Sequence, residues 1–397
     1  MSAPLSARQL RKRERKSTVI AFIQPFVPTY RVGLFNAIAA ELAELGLVLE
    51  VWHDNPKGIV AARGNASQGV WSVPIHQRRL TIKRRNVTYR NVHRKARGVR
   101  AVVAGLASTN LETYLLALDP EVNLLLWGHG RNFTASQHGL DIAIERWLIG
   151  RSRHVFTYTE RGAEYVTSTG TDPGSVTVVR NSTDTEALRG WKREASAEAI
   201  NSEQERFKTS SGRTALFVGA FDEPKRLPFL FAAADLVAER LPDFRLLLAG
   251  AGPLDDYVAE QVSRRPYARL LGRVEAERLA MFSHIADVML MPGRVGLVAV
   301  DALALGIPVV TTDYPYHAPE ADYLSEENSV WTRNDVVCYA DEVVNLLSDE
   351  GRLDQLSRAA YSAGLSLSTE ASARAFTVGI RKALLGSKPR SDEHEGP

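Results

Sequence analysis

Residues 288–313, VMLMPGRVGLVAVDALALGIPVVTTD, constrain the fold more than any other stretch, because they spell a strand, a glycine-containing turn, a helix and a second strand in one phrase. The apolar run 288–291 has strand length and is stopped by Pro292 and Gly293. Gly296 is expected to let the backbone turn tightly, and from Leu297 onward Leu297, Val298, Val300, Leu303 and Ala304 share one helical face. Gly306 is placed to end that helix, Pro308 forbids its continuation, and Val309, Val310 and Thr311 open the next strand. Such a unit implies a parallel sheet. The free amides and dipole of a helix start beside glycines favour phosphate.

The same alternation runs through the chain. Residues 19–23 form a strand, a loop with Pro25 and Pro28 follows, 30–42 has helical spacing and 47–52 is a second strand, which together make a βαβ opening. Residues 122–127, VNLLLW, read as a buried strand running directly into Gly128, His129, Gly130 and Arg131. Strands at 154–159 and 176–179 continue the first sheet. Residues 186–212 are polar and poor in large apolar residues, which reads as a connector with a solvated helix. Strand patterns restart at 215–219, which ends in Gly219, and at 244–249 and 269–271, each followed by glycine. The order predicts two doubly wound α/β domains, within reach of a 397-residue chain with 45% hydrophobic residues. The expected divisions are a basic, disordered arm over 1–16, a first domain over 17–185, the connector, a second domain over 213–365, a helix over 366–385 and a disordered tail over 386–397.

Several classes are disfavoured. The N-terminal arm carries Arg8, Arg11, Lys12, Arg13, Arg15 and Lys16 with no apolar segment behind it, unlike a signal peptide. No apolar run is long enough to span a bilayer. One cysteine, Cys338, excludes an intramolecular disulfide and reads as a buried thiol, pointing weakly to a reducing compartment. The net charge is only +3, yet no acid occurs between Asp54 and Glu112, where Arg78, Arg79, Lys83, Arg84, Arg85, Arg90, Arg94, Lys95, Arg97 and Arg100 crowd. This block reads either as a solvated loop and helix face or as an attraction for an anionic membrane or a phosphate-bearing acceptor, the second being favoured. Nucleic acid is not expected, because no binding motif accompanies the charge.

The phrase 288–313 resembles the donor-binding signature of GT-B glycosyltransferases of family 4, in which two glutamates separated by seven residues bracket a glycine turn and the helix after it. Asp301 stands where the second glutamate would be, and Gly293 where the first would be. The resemblance covers roughly 18–385. It implies two Rossmann-like domains facing a cleft, with a C-terminal helix crossing back to the first domain. It implies a donor site in which Asp301 holds the ribose hydroxyls, Gly219 and Lys225 of FVGAFDEPKR hold the diphosphate with Arg226 beside them, Gly272 and Arg273 receive the nucleobase, and the backbone at Gly293, Gly296 and Leu297 meets the donor. Ala220 falls where an arginine is often found. On the acceptor side it points to Tyr30, Arg31 and Arg131, and it makes His129 a sugar-contacting group, catalytic together with Lys225. In the phrase VVRNSTDT, Asn181 and Asp184 are expected to satisfy turn amides and cap a helix, Ser182 takes a position usually glycine, and Glu320 is a candidate donor contact or a surface acid.

The implied activity is metal-independent transfer of a sugar from a nucleotide-sugar co-substrate to a hydroxyl of a glycan or lipid-linked acceptor with retention of configuration. No cofactor is expected, and the setting is cell-envelope or exopolysaccharide synthesis at the cytoplasmic side, with peripheral contact to an anionic membrane. Two alternatives stay open: a non-catalytic GT-B-like scaffold binding nucleotide or glycan, and another GT-B enzyme such as a nucleotide-sugar epimerase.

Overall fold

The computed structural model describes residues 18–55, 67–82, 85–129, 139–209 and 213–386. The chain divides into two compact units. The first contains residues 1–180 and 370–397, and the second contains 181–369.

The first unit is built on a parallel sheet of seven strands: β1 (Val19–Gln24), β2 (Val48–His53), β3 (Ser72–Pro74), β6 (Ala101–Gly105), β7 (Leu124–Gly128), β8 (His154–Thr157) and β9 (Val176–Val178), in the order β3-β2-β1-β6-β7-β8-β9. Their sequences are near-continuous apolar runs because helices cover both faces of the sheet. The C-terminal helix Thr369–Leu385 packs here, so the expected return to the first domain is what the structure shows. Phe376 lies against Phe22, Trp127 and Phe156 with ring centroids 5.5, 4.9 and 4.9 Å away. Gly379 permits the close approach, since a Cβ there would stand 2.3 Å from a Phe156 ring carbon.

Between β3 and β6 the chain leaves the sheet. Strands β4 (Gln77–Ile82) and β5 (Arg85–Arg90) pair antiparallel as an isolated hairpin, and only the short helix His93–Ala96 follows. The arginine-rich block is thus mainly a β-ribbon, and not the solvated loop and helix face that was one of its two readings. Alternating apolar and basic residues gave no clear period for either reading.

The second unit holds a parallel sheet of β10 (Thr214–Val218), β11 (Arg245–Ala249), β12 (Ala268–Gly272), β13 (Val288–Met291), β14 (Val309–Thr312) and β15 (Ser329–Thr332), ordered β12-β11-β10-β13-β14-β15. The strand order reverses at β10 and β13, and open sheets receive ligands beyond the carboxyl ends of such a pair. The segment expected as a connector differs from that reading. Helices Thr185–Glu194 and Ala197–Phe207 belong to this unit, with Leu188 and Phe207 in its core. The polar residues that hid the packing make backbone bonds. Arg189 donates to the carbonyl of Gly364, and Lys192 Nζ donates to the carbonyl of Leu305 at the end of a neighbouring helix. Cys338 is half-buried rather than buried, in the first turn of helix Val336–Ser348. Among the described residues no helix is long and apolar enough to cross a membrane.

Candidate donor and acceptor sites

In the second unit the loops after β10 and β13 are neighbours because their strands pair, Ala215 against Val288. Gly219 closes β10, its amide donating to Ala249 O, and a 3-10 turn, Glu223–Lys225, then lies against the loop after β13. Lys225 Nζ donates to the carbonyl of Arg294 at 2.6 Å, while the Arg294 amide donates to the carbonyl of Pro224 at 2.8 Å. No carboxylate among the described residues forms an ion pair with this ammonium. Burial lowers its pKa from 10.5 to about 8, Asp222 and Glu320 only partly opposing.

Gly293 explains why no acid stands at this point. A Cβ there would lie 2.4 Å from Pro224 O and 2.6 Å from Lys225 C, so two backbones meet where the resemblance would place a glutamate side chain. Gly296, by contrast, has room: the nearest atom to an added Cβ is 3.8 Å away, and its φ is not positive. The tight position in this turn is therefore Gly293 and not Gly296. The helix after it runs Val298–Leu305 and ends at Gly306 with φ +67°, and Leu297 is its N-cap.

Asp301, in the first turn of that helix, accepts a hydrogen bond from Thr183 Oγ1 at 2.7 Å. Desolvation raises its pKa to about 6, which the Thr183 bond partly offsets. Arg226 adopts φ +55°, a reason for glycine to be favoured there. Its guanidinium donates to the carbonyl of Pro292 and to Asn334 Oδ1 and lies over the rings of Phe229 and Tyr314, so it braces loops. Gly272 ends β12 with φ +68°, and its carbonyl receives the amide of Gly250. Arg273 lines an open cavity of about 750 Å³ together with Val274, Arg278, Met281 and, from the preceding helices, Trp191 and Glu203.

Glu320 is only 5% exposed and is no surface acid. It accepts from Asn181 Nδ2 at 2.6 Å, while the Asn181 amide donates to Tyr323 OH, so Asn181 ties the unit's first residues to the segment Pro319–Tyr323. Asp184 caps the next helix by accepting from the amide of Ala187. His317 had not been singled out and is central to the local geometry. It accepts the Val295 amide at Nδ1 and donates from Nε2 to Thr312 O. Burial holds its pKa below the ordinary value, helped by Lys225 and Arg294, so the ring is neutral and its tautomer fixed. A histidine in a tyrosine- and proline-rich loop carries no sequence signal of that role.

In the first unit the carboxyl ends of β1, β7 and β8 gather a second cluster. Arg31 donates to Gln24 Oε1 at 2.7 Å and to Tyr158 OH at 3.0 Å, and its guanidinium lies over Trp127 at 4.6 Å. His129, just past β7, has its ring centroid 4.9 Å from that of Tyr158. Tyr30 flanks Arg31 from the 3-10 turn Thr29–Arg31. The structure therefore unites His129, Arg31 and Tyr30 around Tyr158, Trp127 and Gln24, which the sequence shows only as strand or loop residues. Arg131 lies outside the described residues.

Residues 212–349 match the family Glycosyl transferases group 1. A phosphatidyl-myo-inositol mannosyltransferase of Mycobacterium tuberculosis is 35% identical over 107 residues, 26% of this chain and 28% of that protein. The chain thus aligns with little more than a quarter of the length of the curated relatives it matches first. A crystal structure of a glycosyltransferase from Rickettsia africae superposes with a TM-score of 0.68 at 13% identity, over 94% of this chain and 100% of the other. The Anabaena HepE protein in complex with UDP gives a TM-score of 0.60 at 13% identity, over 90% and 97%. The two parallel-sheet units are those of the GT-B fold. The match to the glycosyl transferases of group 1 lies within the second unit and supports a family-4-like glycosyltransferase.

Proposed function

We propose that this chain transfers a sugar from a nucleotide-sugar donor to a hydroxyl of a glycan or lipid-linked acceptor, with retention of configuration and without a metal ion or other cofactor. The observation that carries this reading is Lys225, a half-buried ammonium with no carboxylate partner among the described residues, at the topological switch of the second sheet and bonded to the loop that opens helix Val298–Leu305. A cation so placed neutralises the diphosphate as charge grows on the leaving group, and the amides at the helix start add to it. Asp301 holds the ribose hydroxyls, its Thr183 bond setting the side-chain direction. The nucleobase meets the loop at Gly272 and Arg273. In the first unit His129 hydrogen-bonds the transferred sugar, and Arg31, Tyr30 and Arg131 face the acceptor.

Gly293 favours a donor sugar read by backbone groups, since no side chain fits there. The UDP in the HepE complex makes uridine nucleotides the first to test. The mannosyltransferase relatives make a lipid-linked acceptor in envelope synthesis, at the cytoplasmic face of a membrane, the corresponding acceptor reading. The test is a thermal-shift series with UDP, GDP, ADP and TDP, followed by turnover with sugars of the base that binds. Nucleotide binding lost in both Lys225→Ala and Asp301→Ala, with turnover, supports the proposal. Nucleotide binding without turnover on any acceptor supports the scaffold reading, and no binding refutes the donor site.

A further inference from the structure

Three basic side chains stand near Lys225, and the structure commits two of them elsewhere. The Arg226 guanidinium donates to the Pro292 carbonyl and to Asn334 Oδ1. The neutral ring of His317 has both nitrogens engaged, by the Val295 amide and the Thr312 carbonyl. Arg294 differs from both. Its backbone is pinned, the amide donating to Pro224 O and the carbonyl accepting from Lys225 Nζ. Its half-buried side chain forms no hydrogen bond or ion pair with another described residue. The guanidinium nonetheless lies close enough to Lys225 and to His317 to lower the pKa of each. Nearby acids do not offset the two cations: Glu320 accepts from Asn181, and Asp222, which acts on Lys225 through space, forms no ion pair with either among the described residues. Like charges left together in a partly desolvated loop repel, and an anion between them removes the repulsion.

We infer that Arg294 is a catalytic residue of the donor site, its guanidinium binding the diphosphate of the nucleotide beside Lys225. A diphosphate brings two phosphoryl groups and gains further negative charge as the sugar leaves, which a single ammonium meets only in part. The bond from the anomeric carbon to the β-phosphate oxygen breaks with both electrons passing to that oxygen, the acceptor hydroxyl oxygen bonds to the carbon, and the hydroxyl proton ends on the departing phosphate. Arg294 and Lys225 bear the charge that appears on this phosphate before the proton arrives. The planar guanidinium meets two phosphoryl oxygens at once, where an ammonium acts as a point charge. The inference deepens the proposed function by naming a second cation of the same site, and it rests on that reading for the nucleotide.

The experiment is calorimetric titration of the full chain with the mono- and diphosphates of uridine, guanosine, adenosine and thymidine, as wild type, Arg294→Ala and Arg294→Lys. Wild type should prefer the diphosphate of the base that binds over its monophosphate. Arg294→Ala should weaken the diphosphate about 10- to 100-fold, as expected for a lost charge-assisted hydrogen bond, and leave the monophosphate within about 2-fold. Arg294→Lys should retain more of the diphosphate affinity than Arg294→Ala. Empty Arg294→Ala should melt no lower than wild type, because a like-charge contact is removed and no bond is lost. Diphosphate affinity unchanged in Arg294→Ala overturns this inference and leaves the donor site standing. Equal losses for mono- and diphosphate, or a lower melting midpoint in both variants, assign Arg294 to the structure of the loop and overturn it too. Wild type that binds no nucleotide overturns the donor site and this inference together.

Discussion

Replacing Lys225 by methionine should stabilise the empty protein while abolishing nucleotide binding. The residue is half-buried, and its pKa falls from 10.5 to about 8, chiefly through desolvation. That lowering corresponds to about 3 kcal/mol of cost to the folded state at neutral pH. Methionine keeps the stem and removes the charge, though it leaves the Arg294 carbonyl without its 2.6 Å donor, a loss of about 1 kcal/mol. The net gain of about 2 kcal/mol should raise the thermal midpoint of the second unit by about 4–8 °C. The sign with pH follows from the direction. Because the folded pKa is depressed, the penalty is fully present below about 8 and disappears as pH rises from there to 10.5. The wild type should therefore gain stability across that window relative to Lys225→Met. Bound diphosphate restores the charged form, so nucleotide affinity of the wild type should fall as pH rises through about 8. Differential scanning calorimetry from pH 6.5 to 10.5, with and without UDP or the base that binds, reads all of this. A variant less stable than wild type at pH 7, or one still protected by nucleotide, would refute the reasoning.

Gly293→Ala should cost about 1–3 kcal/mol of unfolding free energy, because its Cβ would overlap the Pro224–Lys225 backbone, and Gly293→Glu should weaken nucleotide binding instead of supplying a missing acid; urea titration and nucleotide thermal shifts check both. Asp301 has a folded pKa raised to about 6, so its contribution to stability is present below 3.8 and lost as pH rises through 6; melting curves of Asp301→Asn should lack that decline. Glu112→Ala strands the buried Arg90 guanidinium and should destabilise the first unit by about 3–5 kcal/mol, seen as early loss of protection in hydrogen exchange at the hairpin root. Phe376→Ala removes a ring packed on Phe22, Trp127 and Phe156 and should cost about 3–5 kcal/mol in the same unit, read as a lower denaturant midpoint.

Two doubly wound sheets were legible in the order of apolar runs and glycine turns, since a buried parallel strand writes itself as a short apolar run whatever surrounds it. The ends of helix Val298–Leu305, the return of the C-terminal helix, and the neighbourhood of Lys225 and the glycine turn followed from spacing and resemblance. Other features were decided only by tertiary contact. The polar segment 185–207 became part of the second unit because Arg189 and Lys192 found carbonyls distant in sequence. Glu320 became buried by pairing with Asn181, and His317 became a fixed neutral ring between two loops. Sequence shows that Gly293 has no side chain, but not that backbone at Pro224 and Lys225 forbids one. Periodicity reports which residues leave water, and these long-range polar bonds and steric limits depend on which loops the strand order makes neighbours.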